Sequence, residues 1–231
     1  MSRLNPDLAP QWLRPAMGVD AAAVQERIGN RHATKFVKDL PPVRKEAAVL
    51  VLFKGTSFDD GEVLLTHRSP SMRSHSGQIA FPGGRRDPED ATLVDVALRE
   101  AWEETGLDSS TVTPLEQWDQ LQIRATGNPV SPVTAFWHTP GKVWAASPDE
   151  TDDVFTFPLR ELAEPANRLM VGFGPWKGPA FRAHDYLIWG FTGGILSAIL
   201  EHAGWESEWD NNSVHDLHGA LKRSRNNEKM T

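Results

Sequence analysis

The stretch that most restricts how this chain folds is a glycine turn, Gly83-Gly84, followed by an acid-rich segment ending Arg99-Glu100-Ala101-Trp102-Glu103-Glu104-Thr105-Gly106-Leu107. Residues 91–104 contain no Gly or Pro, Asp90 is a suitable N-cap and Gly106 a natural stop, so the pattern predicts an α-helix. Val94, Ala97, Leu98 and Ala101 recur at helical spacing and give it a stripe to bury. Glu100 and Glu104 are four apart and Glu100 and Glu103 three apart, which places their carboxylates along one side, away from the centre of that stripe. Like charges at this spacing oppose a helix, and two of them lie in its last turns, where the macrodipole also disfavours anions, at roughly 0.3–1 kcal/mol each. Such a helix needs compensating positive charge.

A divalent cation with oxygen ligands supplies it. Clustered carboxylates and backbone carbonyls suit Mg²⁺ or Mn²⁺, and the sequence has no Cys for a thiolate site. A bare Glu-x-x-Glu-Glu is commonly a solvated face paired to Arg or Lys. Here the glycine turn, Arg99 and Gly106-Leu107 stand at fixed distances from the acids, which favours the metal.

The segment resembles the Nudix box, whose usual form is Gly-x5-Glu-x7-Arg-Glu-U-x-Glu-Glu-x-Gly-U, with U a bulky aliphatic residue. The C-terminal half matches residue by residue apart from Ala101 at the first U. In the other half, Gly84 stands 15 residues before Arg99, one more than usual; the first Glu falls on Ala91, and Asp90 is not assigned to the metal. Upstream, Leu64-Leu65-Thr66-His67-Arg68-Ser69, Arg73, Gly77 and Phe81-Pro82-Gly83-Gly84 resemble the signature of the family's coenzyme A pyrophosphatase branch at every fixed position. Ile188-Trp189-Gly190-Phe191-Thr192 resembles that branch's downstream Ile-Trp-Gly segment.

The resemblance implies an α/β Nudix fold, a mixed β-sheet sandwiched between α-helices. It also implies metal-dependent hydrolysis of the pyrophosphate bond of coenzyme A or a derivative, giving adenosine 3′,5′-bisphosphate and 4′-phosphopantetheine. On these positions Glu100, Glu103 and Glu104, with a carbonyl of Gly83 or Gly84, are the expected ligands of one to three Mg²⁺ or Mn²⁺ ions, and Glu103 and Glu104 the catalytic acids. Arg99 is expected to orient them by ion pairing. Glu150, within Asp149-Glu150-Thr151-Asp152-Asp153, resembles the Glu of the branch's Pro-x-Glu segment and is the expected further ligand or general base, with Asp153 behind it.

A pyrophosphate diester carries two negative charges, and planar Arg forks suit it, so Arg68 and Arg73, in a loop that opens on the glycine turn, are the substrate-binding candidates. Their alternative role is pairing with loop carboxylates. His67 falls in a strand pattern and is expected to be packed or hydrogen-bonded, and His75 is a lesser candidate for substrate contact. Two rival functions stay open: a Nudix hydrolase of another nucleoside diphosphate derivative, such as ADP-ribose or a dinucleotide, and a Nudix-fold binding module without catalysis. Intact Glu100, Glu103 and Glu104 argue against the second.

With 231 residues and 39% apolar content the chain suffices for one domain with extensions: an N-terminal extension with a short helix (1–43), a hydrolase domain (44–205) and a polar tail (206–231). A net charge of −7 argues against nonspecific nucleic-acid binding and requires an anionic substrate to be held locally. No apolar run suits a membrane span and no leader is evident, so a cytoplasmic location is expected; a homodimer is compatible with the sequence. Most of the nine Trp are expected to pack in the core or its rim, with one or two available to stack on an adenine. Strands are expected at 47–53, 61–67, 78–81, 117–126, 131–138, 143–146, 154–157, 168–173 and 181–188, helices at 20–28, 158–162 and 192–202, and disorder from 222 onward.

Overall fold

A computed structural model describes residues 4–28, 46–72, 74–122 and 129–229. Arg73, Gly29, the Pro41-Pro42 connector and residues 123–126 of one expected strand lie outside these. The first sheet contains β1 (Ala47–Lys54), β2 (Glu62–Arg68), β3 (Ile79–Ala80), β4 (Gly83–Arg85), β5 (Val112–Gln117), β6 (Leu121–Gln122), β7 (Pro129–Trp137) and β8 (Thr151–Pro158). Its main order is β3-β2-β1-β7-β5, with β4 on β1, β6 on β7 and β8 on β2. A second sheet, ordered β11-β10-β9-β12, is built from β9 (Arg168–Phe173), β10 (Trp176–Ala183), β11 (Tyr186–Ile188) and β12 (Val214–Asp216). Parallel pairing of β1 with β7 and of β9 with β12, among antiparallel neighbours, makes both sheets mixed.

The helices are α1 (Ala21–Arg27), α2 (Leu93–Thr105), α3 (Leu159–Ala163), α4 (Gly190–His202) and α5 (Leu217–Lys222). The apolar run of β1 divides between two faces by the period-two alternation of a strand. Ala48, Leu50 and Leu52 join Val94, Ala97, Leu98 and Ala101 of α2 in one cluster. Val51 and Phe53 join Ile195, Leu196 and Ile199 of α4, Phe181 and Ile188 of the second sheet, and Leu13 and Val24 from the N-terminal stretch. The central sheet thus lies between α2 and a layer made by α4 with the second sheet. Among the described residues no helix is long and apolar enough to cross a membrane.

Several expectations are corrected here. Helix α2 starts later than Asp90 suggests: Thr92 is the N-cap and forms a capping box with Asp95, two reciprocal bonds that outcompete a single Asp cap. Residues 143–146 are not a strand. Instead the N–H groups of Trp144 and Ala146 donate to the carbonyls of Thr105 (3.1 Å) and Glu104 (3.0 Å), satisfying the open end of α2. The segment 181–188 breaks at His184 (φ 51°), where a tight turn joins β10 to β11. The stretch from 222 on is not disordered over its described part: α5 buries Leu217, Ala220 and Leu221 against Leu169, Val171 and Ala180, and Asn226 is fully buried. Polar composition concealed this because a buried Asn can satisfy itself on main-chain groups.

Candidate active site

Pairing of β4 with β1 carries the glycine turn beneath the acidic end of α2. The N–H of Gly83 donates to Glu104 Oε2 at 3.2 Å, and a Cβ on Gly84 would lie 2.3 Å from the Glu100 carboxyl, so the helix can approach this closely only over glycine. The ladder around the Ala48–Gly84 pair is marked by Leu50 N–H donating to Pro82 O and Arg86 N–H to Glu46 O. By strand alternation Gly84 turns its own peptide groups toward β1, whereas Gly83 and Arg85 turn theirs toward α2. The Gly83–Glu104 bond and an Arg99 Nη2 donation to Arg85 O (2.9 Å) agree with that. The Gly83 peptide groups are therefore turned to the α2 side, and Gly84 leaves room for the Glu100 carboxyl.

The three glutamates differ in environment. Glu104 is only 3% exposed: with Ala97 and Ala101 it continues the apolar stripe, since positions three and four apart share a face, and it does not stand clear of the stripe as expected. Burial pushes its carboxyl up to about 8, against the pull of Arg68, whose Nη1 lies 3.9 Å from Oε1. Glu100 is also raised by burial, opposed by Arg99. Glu103 is the most open and accepts from Arg99 Nη1 at 3.1 Å, as does Glu100 Oε1 at 3.1 Å.

Arg99 is thus the hub of the acids. Its other edge donates to Asp90 from Nε (3.1 Å) and Nη2 (2.9 Å). Asp90 is buried, accepts the Asp87 N–H as well, and closes the longer loop before α2. Donation from Arg99 holds its carboxyl below the usual range. Asp90→Asn is expected to cost about 1.5–3 kcal/mol through the lost charge-assisted bonds. A depressed carboxylate stabilises above its unfolded value and loses that contribution as pH falls through the folded one. The deficit relative to the parent chain should accordingly be constant above pH ~5 and shrink below pH ~4 in denaturant titrations.

Among the described residues no three His, Asp or Glu side chains are already gathered for a metal, because Arg99 draws Glu100 and Glu103 to itself. The donor set nevertheless fits a hard cation. It is all oxygen, one member is a buried carboxyl whose nearest cation is 3.9 Å away, and the glycine floor leaves no side chain in the space.

Glu150 sits in the turn before β8, where its carbonyl accepts the Ser69 N–H at 2.8 Å. This ties the turn to the residue after Arg68, and the carboxyl lies close enough to raise both Glu100 and Glu104. Asp153 is turned away and accepts from the Tyr186 hydroxyl at 2.9 Å. His67 is packed as expected: Nδ1 pairs with Asp152 at 2.5 Å, Nε2 with Asn226 O at 3.0 Å, and the ring stacks on Tyr186.

Beside the glycine turn, with Gly83, Gly84 and Arg85 in its lining, a cavity of about 640 Å³ lies between residues of the two sheets. Arg68, His75, Gln78 and Phe81 line one side, and Trp176, Trp189 and Phe191 another. The Nε of Arg68 is buried without a hydrogen-bond partner among the described residues. The second aromatic wall was legible only as the Ile188–Thr192 resemblance, and the partners that hold it were not legible at all.

The model of the NUDIX domain matches residues 43–176, more than half of the chain, and the protein belongs to this family. It is a Nudix hydrolase, of a family whose enzymes generally use divalent metal ions. It is 36% identical over 147 residues to an uncharacterised Nudix hydrolase, NudL, of Klebsiella pneumoniae (strain 342), covering 62% of this chain and 75% of that one. Against the mitochondrial Nudix hydrolase 15 of Arabidopsis thaliana it is 36% identical over 168 residues, covering 66% of this chain but only 56% of the plant protein. Among solved structures, the Nudix hydrolase RenU of M. smegmatis superposes with a TM-score of 0.50 at 20% identity, over 73% of this chain and 91% of that one, which shows the shared fold.

Proposed function

We propose that this Nudix hydrolase cleaves the pyrophosphate bond of coenzyme A or a derivative, with Mg²⁺ or Mn²⁺. The observation that carries the reading is a convergence. The two segments that resemble the coenzyme A pyrophosphatase branch are more than a hundred residues apart in sequence, yet both line one cavity, whose lining includes the Gly83-Gly84 turn packed against Glu104 and Glu100. Its aromatic wall suits an adenine or the pantetheine arm, and its Arg68 end suits the phosphates.

In this reading Glu100, Glu103 and Glu104, with the Gly83 carbonyl, would hold the cation, and Glu103 would leave its Arg99 partner to do so. The cation supplies neutralisation of phosphate charge and acidification of water. Arg68 orients the phosphates from the end of β2, with Arg73 as the second donor. Glu150, an exposed carboxylate whose charge reaches Glu100 and Glu104, would accept the proton of the attacking water, and buried Glu104 would remain a ligand of the cation.

Hydrolysis measured over coenzyme A, its acyl and disulfide forms, ADP-ribose and dinucleotides, with each metal, tests this. Adenosine 3′,5′-bisphosphate and 4′-phosphopantetheine are the expected products, and faster turnover of ADP-ribose or a dinucleotide would move the assignment to that rival class. A binding consequence is independent of turnover. At a hundred times its dissociation constant a cation bound only by the native state adds about 2.7 kcal/mol, or roughly 5–10 °C in Tm for a chain of this size. Thermal melts with and without millimolar Mg²⁺ or Mn²⁺ should show that shift, and no shift would remove the cation from this reading.

A further inference from the structure

The cavity described above is closed at one side by residues that play no part in the proposed chemistry. The side-chain amide of Asn226 bonds both main-chain groups of Leu187, accepting its N–H at 2.8 Å and donating to its carbonyl at 3.0 Å. Its own carbonyl meets His67 Nε2, one residue before Arg68. The Arg225 N–H donates to Asp185 O at 2.8 Å. Gly77, at φ 76°, lies directly against the same segment: a Cβ there would stand 2.3 Å from Asn226 O and 2.8 Å from Glu228 Cα. Residues 225–228 are therefore clipped onto the end of β11 and onto the loop before β3.

At the end of this clip the Glu228 carboxylate accepts from two cavity-lining side chains on separate oxygens. Gln78 Nε2 donates to Oε1 at 2.7 Å, and Trp189 Nε1 donates to Oε2 at 2.9 Å. Gln78 precedes β3 of the first sheet, and Trp189 follows β11 of the second. Gln78 in turn bonds His75 Nδ1 through Oε1 at 3.1 Å, and His75 also lines the cavity. One carboxylate thus joins the walls contributed by the two sheets. The indole N–H is the only polar handle of Trp189, so its bond to Glu228 sets the plane of the ring offered to a stacking partner.

We propose that Glu228 is a positioning residue for substrate binding, holding the Gln78 amide and the Trp189 indole so that residues 225–228 fix the separation of the two cavity walls around the part of the nucleotide remote from the reacting phosphates. The inference rests on the reading of this cavity as the substrate site of a metal-dependent pyrophosphohydrolase. It concerns ground-state binding, because Glu228 touches neither the acids nor the glycine turn in any contact described above. Its signature is a change in KM with little change in kcat.

The test uses the full chain with Mg²⁺ and coenzyme A, comparing the parent protein with Glu228→Ala, Glu228→Gln, Trp189→Phe and the Trp189→Phe/Glu228→Ala pair. Glu228→Ala is expected to raise KM about tenfold with kcat within about threefold. Glu228→Gln, with one acceptor oxygen left for two donors, should fall between. In the Trp189→Phe background, where the indole donor is gone, removing Glu228 should have a smaller effect than in the parent. Unchanged KM in a folded Glu228→Ala protein, an equal loss of kcat, or full additivity of the pair would overturn the proposal. If Glu228→Ala melts below the assay temperature, Glu228→Gln decides it: a raised KM at unchanged kcat supports the clamp and an unchanged KM removes it. Absence of metal-dependent hydrolysis by the parent chain on every nucleoside diphosphate substrate would instead overturn the underlying reading, a result distinct from any of these.

Discussion

Replacing Glu104 by Gln is expected to lower kcat on the order of 10³-fold, as large as the loss of a dedicated transition-state contact, while the fold survives. The fold should survive because the carboxyl is buried beside apolar α2 positions and is held by one backbone N–H and a distant Arg68, so an isosteric neutral amide fills the same space, keeps an acceptor for the Gly83 N–H and opens no cavity. Without added metal the variant should melt at or above the parent's temperature, and with metal it should lack the parent's upward shift. Glu100→Gln should follow the same course, with a smaller gain in the metal-free melt because Glu100 already has Arg99 as partner. Chelation of the parent should abolish turnover. Near-parental turnover in either variant, measured at saturating coenzyme A and Mg²⁺, would remove these residues from the metal site.

Coenzyme A is expected to be preferred over 3′-dephospho-coenzyme A and ADP-ribose by about ten- to a hundredfold in kcat/KM, the equivalent of one charge-assisted contact of roughly 1.5–3 kcal/mol. The contact has two candidate donors. Arg68 lines the cavity near Glu104 and has a buried Nε with no hydrogen-bond partner among the described residues, so in the proposed reading it is the donor to the reacting phosphates. Arg73, five positions further along the sequence, is the expected donor to the remote 3′-phosphate. Arg73→Ala should therefore lower kcat/KM for coenzyme A by about tenfold or more and affect the 3′-dephospho compound less, whereas Glu89→Ala, an exposed change away from the cavity, should do little. Equal loss on both substrates would assign Arg73 to the pyrophosphate instead.

Local signals determined a good deal of this protein. An uninterrupted apolar run marked β1 as a strand covered on both faces, helical spacing marked the buried side of α2, and fixed distances among glycines, arginines and glutamates marked the acid cluster before any coordinates. Those features depend on contacts between near neighbours in the chain, or on a motif written contiguously. The environment of each acid was different in kind. That Gly83 turns its peptide toward the helix and donates to Glu104 follows from β4 pairing on β1, a contact across some thirty-five positions that no local pattern carries. The same reason explains the largest misreading. Residues 225–228 are polar and look unstructured because their partners, His67, Gln78, Leu187 and Trp189, lie as far as 159 positions away. Polar side chains advertise solubility in a sequence, and only the tertiary structure decides whether their hydrogen bonds go to water or, as here, across the wall of a cavity.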